Sequence, residues 1–118
     1  MDQSIKQKSR EFAAKVAQLY KHLSSHKKET ILSGELLRTG AGVGANLARS
    51  ECAMGKNDQL AKVYTALQEC VEAKYWLEVL NDNEYLTEFE FNDLLSVCDG
   101  MGKDLIGLVK TLRAAIAR

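Results

Sequence analysis

Between Phe91 and Leu112 the residues Phe91, Leu94, Cys98, Met101, Leu105, Leu108 and Leu112 recur at alternating steps of three and four. Such steps nearly match the turn of an α-helix, so these side chains form one seam that a helix must bury against neighbours. A strand would need a period of two, which this stretch lacks. Thr87 and Glu90 precede the seam as a capping box, each side chain accepting a hydrogen bond from the other residue's otherwise unpaired amide.

The rest of the chain follows the same rhythm. Ile5, Phe12, Val16, Leu19 and Leu23 lie on one stripe of a first helix, with lysines and Arg10 on its other faces. Ser24 to Lys28 has no apolar residue and reads as the first turn. Leu60, Val63, Tyr64, Leu67, Val71, Trp76, Leu77 and Leu80 give a third helix, closed by Asn81, Asp82 and Asn83. The second segment, starting near Glu29 or Thr30, contains Gly34, Gly40, Gly42 and Gly44, each costing about 1 kcal/mol relative to alanine inside a helix. Gly40, Gly44 and Ala48 are spaced by four, a smooth face that lets a neighbouring helix approach closely. The alternative is a loop over residues 40–44; the apolar rhythm of Leu36, Leu37, Val43 and Leu47 across the glycines favours the helix. Gly55 is placed to end this helix in the left-handed conformation, and Asn57 or Asp58 to cap the next.

Proline is absent and β-branched residues are scattered, so nothing suggests a sheet. A chain of 118 residues can bury one core. The expectation is an all-α fold, an up-down-up-down antiparallel four-helix bundle forming a single domain over residues 1–118. No apolar run approaches the roughly 20 residues needed to span a bilayer, and Met1 to Arg10 lacks a signal-peptide pattern, which points to a soluble cytoplasmic protein. Cys52, Cys70 and Cys98 are odd in number and widely spaced. They read as three small core thiols rather than a zinc site or a disulfide framework.

The net charge is zero, which argues against a surface coated in basic residues. Its distribution is uneven: residues 1–28 carry 7 basic and 2 acidic side chains, residues 57–86 carry 2 and 6. That polarity suits packing within the chain or between copies of it.

Catalytic signatures are weak. Residues 40–44 match neither the Walker nor the dinucleotide glycine pattern, and no Glu-x-x-His pair of the diiron type occurs. His22 and His26 are four apart with no third ligand in sequence view, so no metal or cofactor is expected. Glu69 and Glu72 lie one turn apart and invite an acid–base reading. No nucleophile or histidine accompanies them, so the favoured reading is an ion-pair network in which Arg38 on the adjacent helix neutralises one, with no catalytic residue assigned. Tyr75 and Trp76, about 100° apart on a helix, divide their roles: one fills the interior while the other meets a partner. Tyr20 and Tyr64 are expected at the edge of the core. Arg49, Lys56 and Lys62 around the second turn, helped by Lys27 and Lys28, are the candidate nucleic-acid contacts. Solvated surface charge is the plainer reading of each, because phosphate binding needs several cations to converge.

The string LLRTGAGVGANLARSE, residues 36–51, followed by ALQECVEAKYWLEVL, residues 66–80, resembles the small four-helix-bundle proteins encoded in intervening sequences of bacterial large-subunit ribosomal RNA genes. Those proteins are similar to the accessory bundle protein of diversity-generating retroelements. Arg38, Gly44, Asn46 and Glu51 match one family pattern, and Leu67, Glu69, Glu72, Tyr75, Trp76 and Leu77 another. The resemblance implies an up-down-up-down bundle assembling as a five-membered ring without established enzymatic activity. For the retroelement relatives it implies contact with nucleic acid and a reverse transcriptase through basic residues, whereas this chain carries no net charge. The leading expectation is a noncatalytic homo-oligomeric binding or scaffold module whose partner is RNA, DNA or a nucleic-acid-processing protein, with no membrane involved. The alternative is a small-molecule binder or enzyme with an inter-subunit cleft built from Arg38, Glu69, Glu72 and Tyr75.

Overall fold

Four apolar stripes can be satisfied only by one another, and the computed structural model, which describes residues 3–118, joins them in that way. The helices are α1 (Gln3–His26), α2 (Ile31–Ser50), α3 (Lys56–Asp82) and α4 (Glu88–Ala117). Short connections make sequential helices antiparallel. Each packs on its two neighbours around a square, α4 closing against α1, while the diagonal pairs α1–α3 and α2–α4 stay apart. The result is an up-down-up-down four-helix bundle measuring 52 × 21 × 20 Å.

The stripe of α1 is buried throughout, and Leu94, Cys98, Met101 and Leu105 of α4 face it from across the interior. Phe91, Leu108 and Leu112 are partly buried against the same core. The second helix runs unbroken through its glycines. A Cβ on Gly40 would stand 3.2 Å from the Phe12 ring and one on Gly44 3.2 Å from the Ser9 hydroxyl, so these glycines let α1 lie close to α2. Gly42 faces the other way, toward α3.

Several local expectations change. Ser24, Ser25 and His26 belong to α1, the two hydroxyls donating back to the Lys21 carbonyl at 3.1 and 2.8 Å. The turn comes later, with Lys28 left-handed at φ 55°. Helix α2 starts on the carboxylate of Glu29, which accepts the amides of Ile31, Leu32 and Ser33 at 3.1, 2.8 and 2.8 Å; Thr30 makes no side-chain cap. Gly55 does not end α2. That helix stops at Ser50, followed by right-handed Glu51, and Gly55 at φ 149° is instead the N-cap of α3, which puts Asn57 and Asp58 inside the first turn. The Thr87–Glu90 capping box forms as expected, at 2.8 and 3.1 Å.

Helix α3 packs on α2 and α4 through Val63, Ala66, Cys70, Ala73, Leu77 and Leu80. Small residues bring the helices together and leave Val71 outside, 63% exposed, although its spacing had suggested core; Tyr64, 43% exposed, lies at the edge as expected. Cys70 and Cys98 are buried as expected; Cys52 is exposed in the α2–α3 connection. Among the described residues no helix is long and apolar enough to cross a membrane.

Candidate nucleic-acid interface

The α2–α3 connection is built on short local bonds. The amides of Glu51, Cys52 and Ala53 reach back to the carbonyls of Ala48, Arg49 and Ser50 at 3.2, 3.0 and 3.3 Å. Asp58 closes the far side, accepting the Met54 amide at 2.9 Å and pairing with Lys62 one turn on. The Lys62 bond, with that amide, holds the Asp58 carboxyl below its usual range. A groove of about 410 Å³ opens here, lined by Ser50, Glu51, Ala53, Gly55, Lys56 and Gln59.

Three of the five expected cations meet at this end. Arg49 is aimed by Asn46, whose amide nitrogen donates to the Gly42 carbonyl at 2.9 Å while its oxygen accepts from the guanidinium at 3.2 Å. Lys56 is exposed at the first position of α3, and Lys62 is tied to Asp58. Lys6 of α1 joins the group through Glu51 at 3.1 Å. Lys27 and Lys28 sit in the α1–α2 turn, at the opposite end of the long axis, so one chain cannot bring all five to one phosphate cluster.

The cations nevertheless follow a pattern that no single segment reveals. The half of the bundle formed by residues 3–12, 44–65 and 104–118 contains 9 lysines and arginines against 4 carboxylates; residues 13–43 and 66–103 contain 7 against 11. Contacts of Phe12 with Gly40, Glu69 with Gly42 and Lys8 with Asp104 fix the boundary between the halves. The neutral molecule is thus polarised along its length, basic at the α2–α3 turn and acidic beyond the middle.

The Arg38 cluster lies in the acidic half. Arg38 Nη2 donates to Glu35 and to Glu72 Oε2, both at 2.7 Å, and the same Glu72 oxygen accepts Trp76 Nε1–H at 3.0 Å. The indole bond and the Arg38 charge hold the Glu72 carboxyl below its usual range. Glu69 is outside this network; its Oε2 is buried against Gly42 without a hydrogen-bond partner among the described residues. Trp76 packs on the core, and Tyr75, 56% exposed, meets it edge-on at 4.9 Å. Arg38 and Tyr75 therefore line an outer face rather than an enclosed cleft within one chain. His22 and His26 stack at 4.7 Å on the α1 surface, and no group of three or more metal-ligating side chains occurs among the described residues.

Sequence reasoning missed the lengthwise charge division, because it appears only after distant segments are folded side by side. It placed Tyr64 at the edge of the core and one of Tyr75 and Trp76 toward a partner, but missed that exposed Val71 joins Tyr64 and Tyr75 in one outward apolar stripe, whose signal was that α3 has more apolar residues than one seam can hold.

A family model described as 23S rRNA-intervening sequence protein matches residues 1–107. Among solved structures, a protein of unknown function from the S23 ribosomal protein family of Bacteroides thetaiotaomicron is 37% identical, with 90% of this chain and 98% of that one covered and a TM-score of 0.88. No curated protein matches the chain significantly.

Proposed function

Starting from the fact that the chain belongs to the 23S rRNA-intervening sequence protein family, we propose that it is a noncatalytic, single-domain, homo-oligomeric module that binds nucleic acid through its basic end. The observation that carries this reading is the lengthwise separation of charge. One basic end offers Arg49, Lys56 and part of Lys62 to a phosphate backbone, a modest set. A closed ring multiplies it, since cyclic symmetry puts the same end of every copy at one height around the axis.

Two features support such a ring. Tyr64, Val71 and Tyr75 give α3 an outward apolar stripe. The basic α1 and the acidic α3 occupy opposite corners of the square, so α1 of one copy can meet α3 of the next head to tail. The resemblance supports five copies for that ring. Its setting is the cytoplasm, its partner RNA, DNA or a nucleic-acid-processing protein, and no membrane, metal or cofactor takes part.

Light scattering combined with fluorescence anisotropy on labelled structured RNA and duplex DNA tests the proposal. The expected result is a multimeric mass and an affinity that falls by at least about tenfold between roughly 50 and 200 mM salt. Lys56→Glu should weaken binding further. A monomer at low salt, or binding indifferent to both salt and Lys56→Glu, overturns it.

A further inference from the structure

Two thiols face each other where α3 meets α4. Cys70 Sγ and Cys98 Sγ are 3.8 Å apart, and each also points at the other's backbone: Cys70 Sγ lies 3.4 Å from the Cys98 carbonyl oxygen and Cys98 Sγ 3.5 Å from that of Cys70. This reciprocal arrangement requires the two backbones to be close, which Ala66, Ala73 and Gly102 permit; a Cβ on Gly102 would stand 3.9 Å from Cys70 Sγ. Both residues are buried, 3% and 1% exposed, yet they line a surface groove of about 370 Å³ together with Val71, Ile106 and the Lys74–Asp99 ion pair. A molecule the size of peroxide fits that opening. The third cysteine, Cys52, is in the α2–α3 connection and plays no part.

We propose that Cys70 and Cys98 are a redox-active pair that closes into a reversible disulfide between α3 and α4 when the protein meets hydrogen peroxide. Because the two sulfurs are placed almost symmetrically, each against the other's carbonyl oxygen, either can attack first, and Cys70, taken as the nucleophile, leaves Cys98 to resolve the sulfenic acid. The Cys70 thiolate attacks one peroxide oxygen and the O–O bond breaks. The departing hydroxide takes a proton and leaves as water, and Cys70 becomes a sulfenic acid. Cys98 sulfur then attacks Cys70 sulfur, the S–O bond breaks, and the hydroxyl leaves with the Cys98 proton as a second water. Two thiols and one peroxide give one disulfide and two waters, the sulfurs losing the two electrons that the peroxide gains. The sulfurs must approach to about 2.05 Å, a movement within reach of side-chain rotation and a small helix shift.

The test uses the full chain carrying Cys52→Ser, a substitution at an exposed residue that removes cross-linking between molecules. The reduced protein is treated with stoichiometric hydrogen peroxide, alkylated under denaturing conditions and weighed. The expected product has lost the mass of two hydrogen atoms, takes up no alkylating agent and regains both thiols with dithiothreitol. Its tryptic digest joins peptide 63–74 to peptide 75–103. Two alkylatable thiols surviving excess peroxide, or oxygen addition on one sulfur without a link between the peptides, overturns the proposal.

Discussion

Glu69 on α3 lies over the bare backbone of Gly42 on α2, so close that a Cβ at residue 42 would stand 3.1 Å from the Glu69 carboxyl carbon. The contact involves the far end of a flexible side chain whose Oε2 has no hydrogen-bond partner among the described residues. Gly40, two residues earlier, faces the rigid Phe12 ring and the Val16 methyl at 3.2 and 3.4 Å.

Two alanine substitutions in one helix should therefore differ in sign. Gly42→Ala gains up to about 1 kcal/mol of helix propensity and lets Glu69 swing into water. Gly40→Ala forces the α1–α2 contact apart and should lose about 1 to 2 kcal/mol despite the same propensity gain. Urea unfolding of both variants decides; equal losses would show that Glu69 is held as firmly as Phe12.

Arg38 should couple to Glu72 and not to Glu69. Glu72 accepts from Arg38 at 2.7 Å, whereas no bond joins Arg38 to Glu69. In a double-mutant cycle, Arg38→Ala with Glu72→Ala should destabilise less than the sum of the single changes, and Arg38→Ala with Glu69→Ala should be additive. Both partners are largely in water, so the coupling should shrink with added salt.

The cap on α2 makes stability depend on acid. Burial alone would raise the Glu29 carboxyl, but hydrogen bonds from Ser33, Leu32 and Ile31 outweigh it and hold the group below its ordinary value of 4.5. A lowered folded-state pKa means that the contribution is present above 4.5 and is lost as pH falls through the lower folded value. Glu29→Ala should cost about 1 to 2 kcal/mol at neutral pH. Glu29→Gln should flatten the acid limb of the stability profile, and an unchanged limb would remove Glu29 as its source.

If nucleic acid binds the basic end, Lys56 should matter more than Lys62. Asp58 already neutralises Lys62, while Lys56 forms no ion pair among the described residues. Lys56→Ala should lower the slope of log affinity against log salt by about one per binding site, with a smaller change for Lys62→Ala. Anisotropy titrations at several salt concentrations read both slopes.

The sequence by itself determined the helices and their number. The seam from Phe91 to Leu112, the α1 stripe from Ile5 to Leu23 and the Thr87–Glu90 box depend on spacings of three and four, and local spacing survives folding because a helix is a local structure. Only the tertiary structure decided what the helices show one another. Arg38 chose Glu72 over Glu69 because the α2–α3 register put Glu69 over Gly42, and Val71 was left outside because Ala66, Cys70 and Ala73 suffice where helices run close. The basic end exists only because antiparallel packing gathers the start of α1, the end of α4 and the α2–α3 turn into one half of the bundle, combining charges that lie far apart in sequence. Register and long-range charge are sums over distant residues, and no local rule contains them.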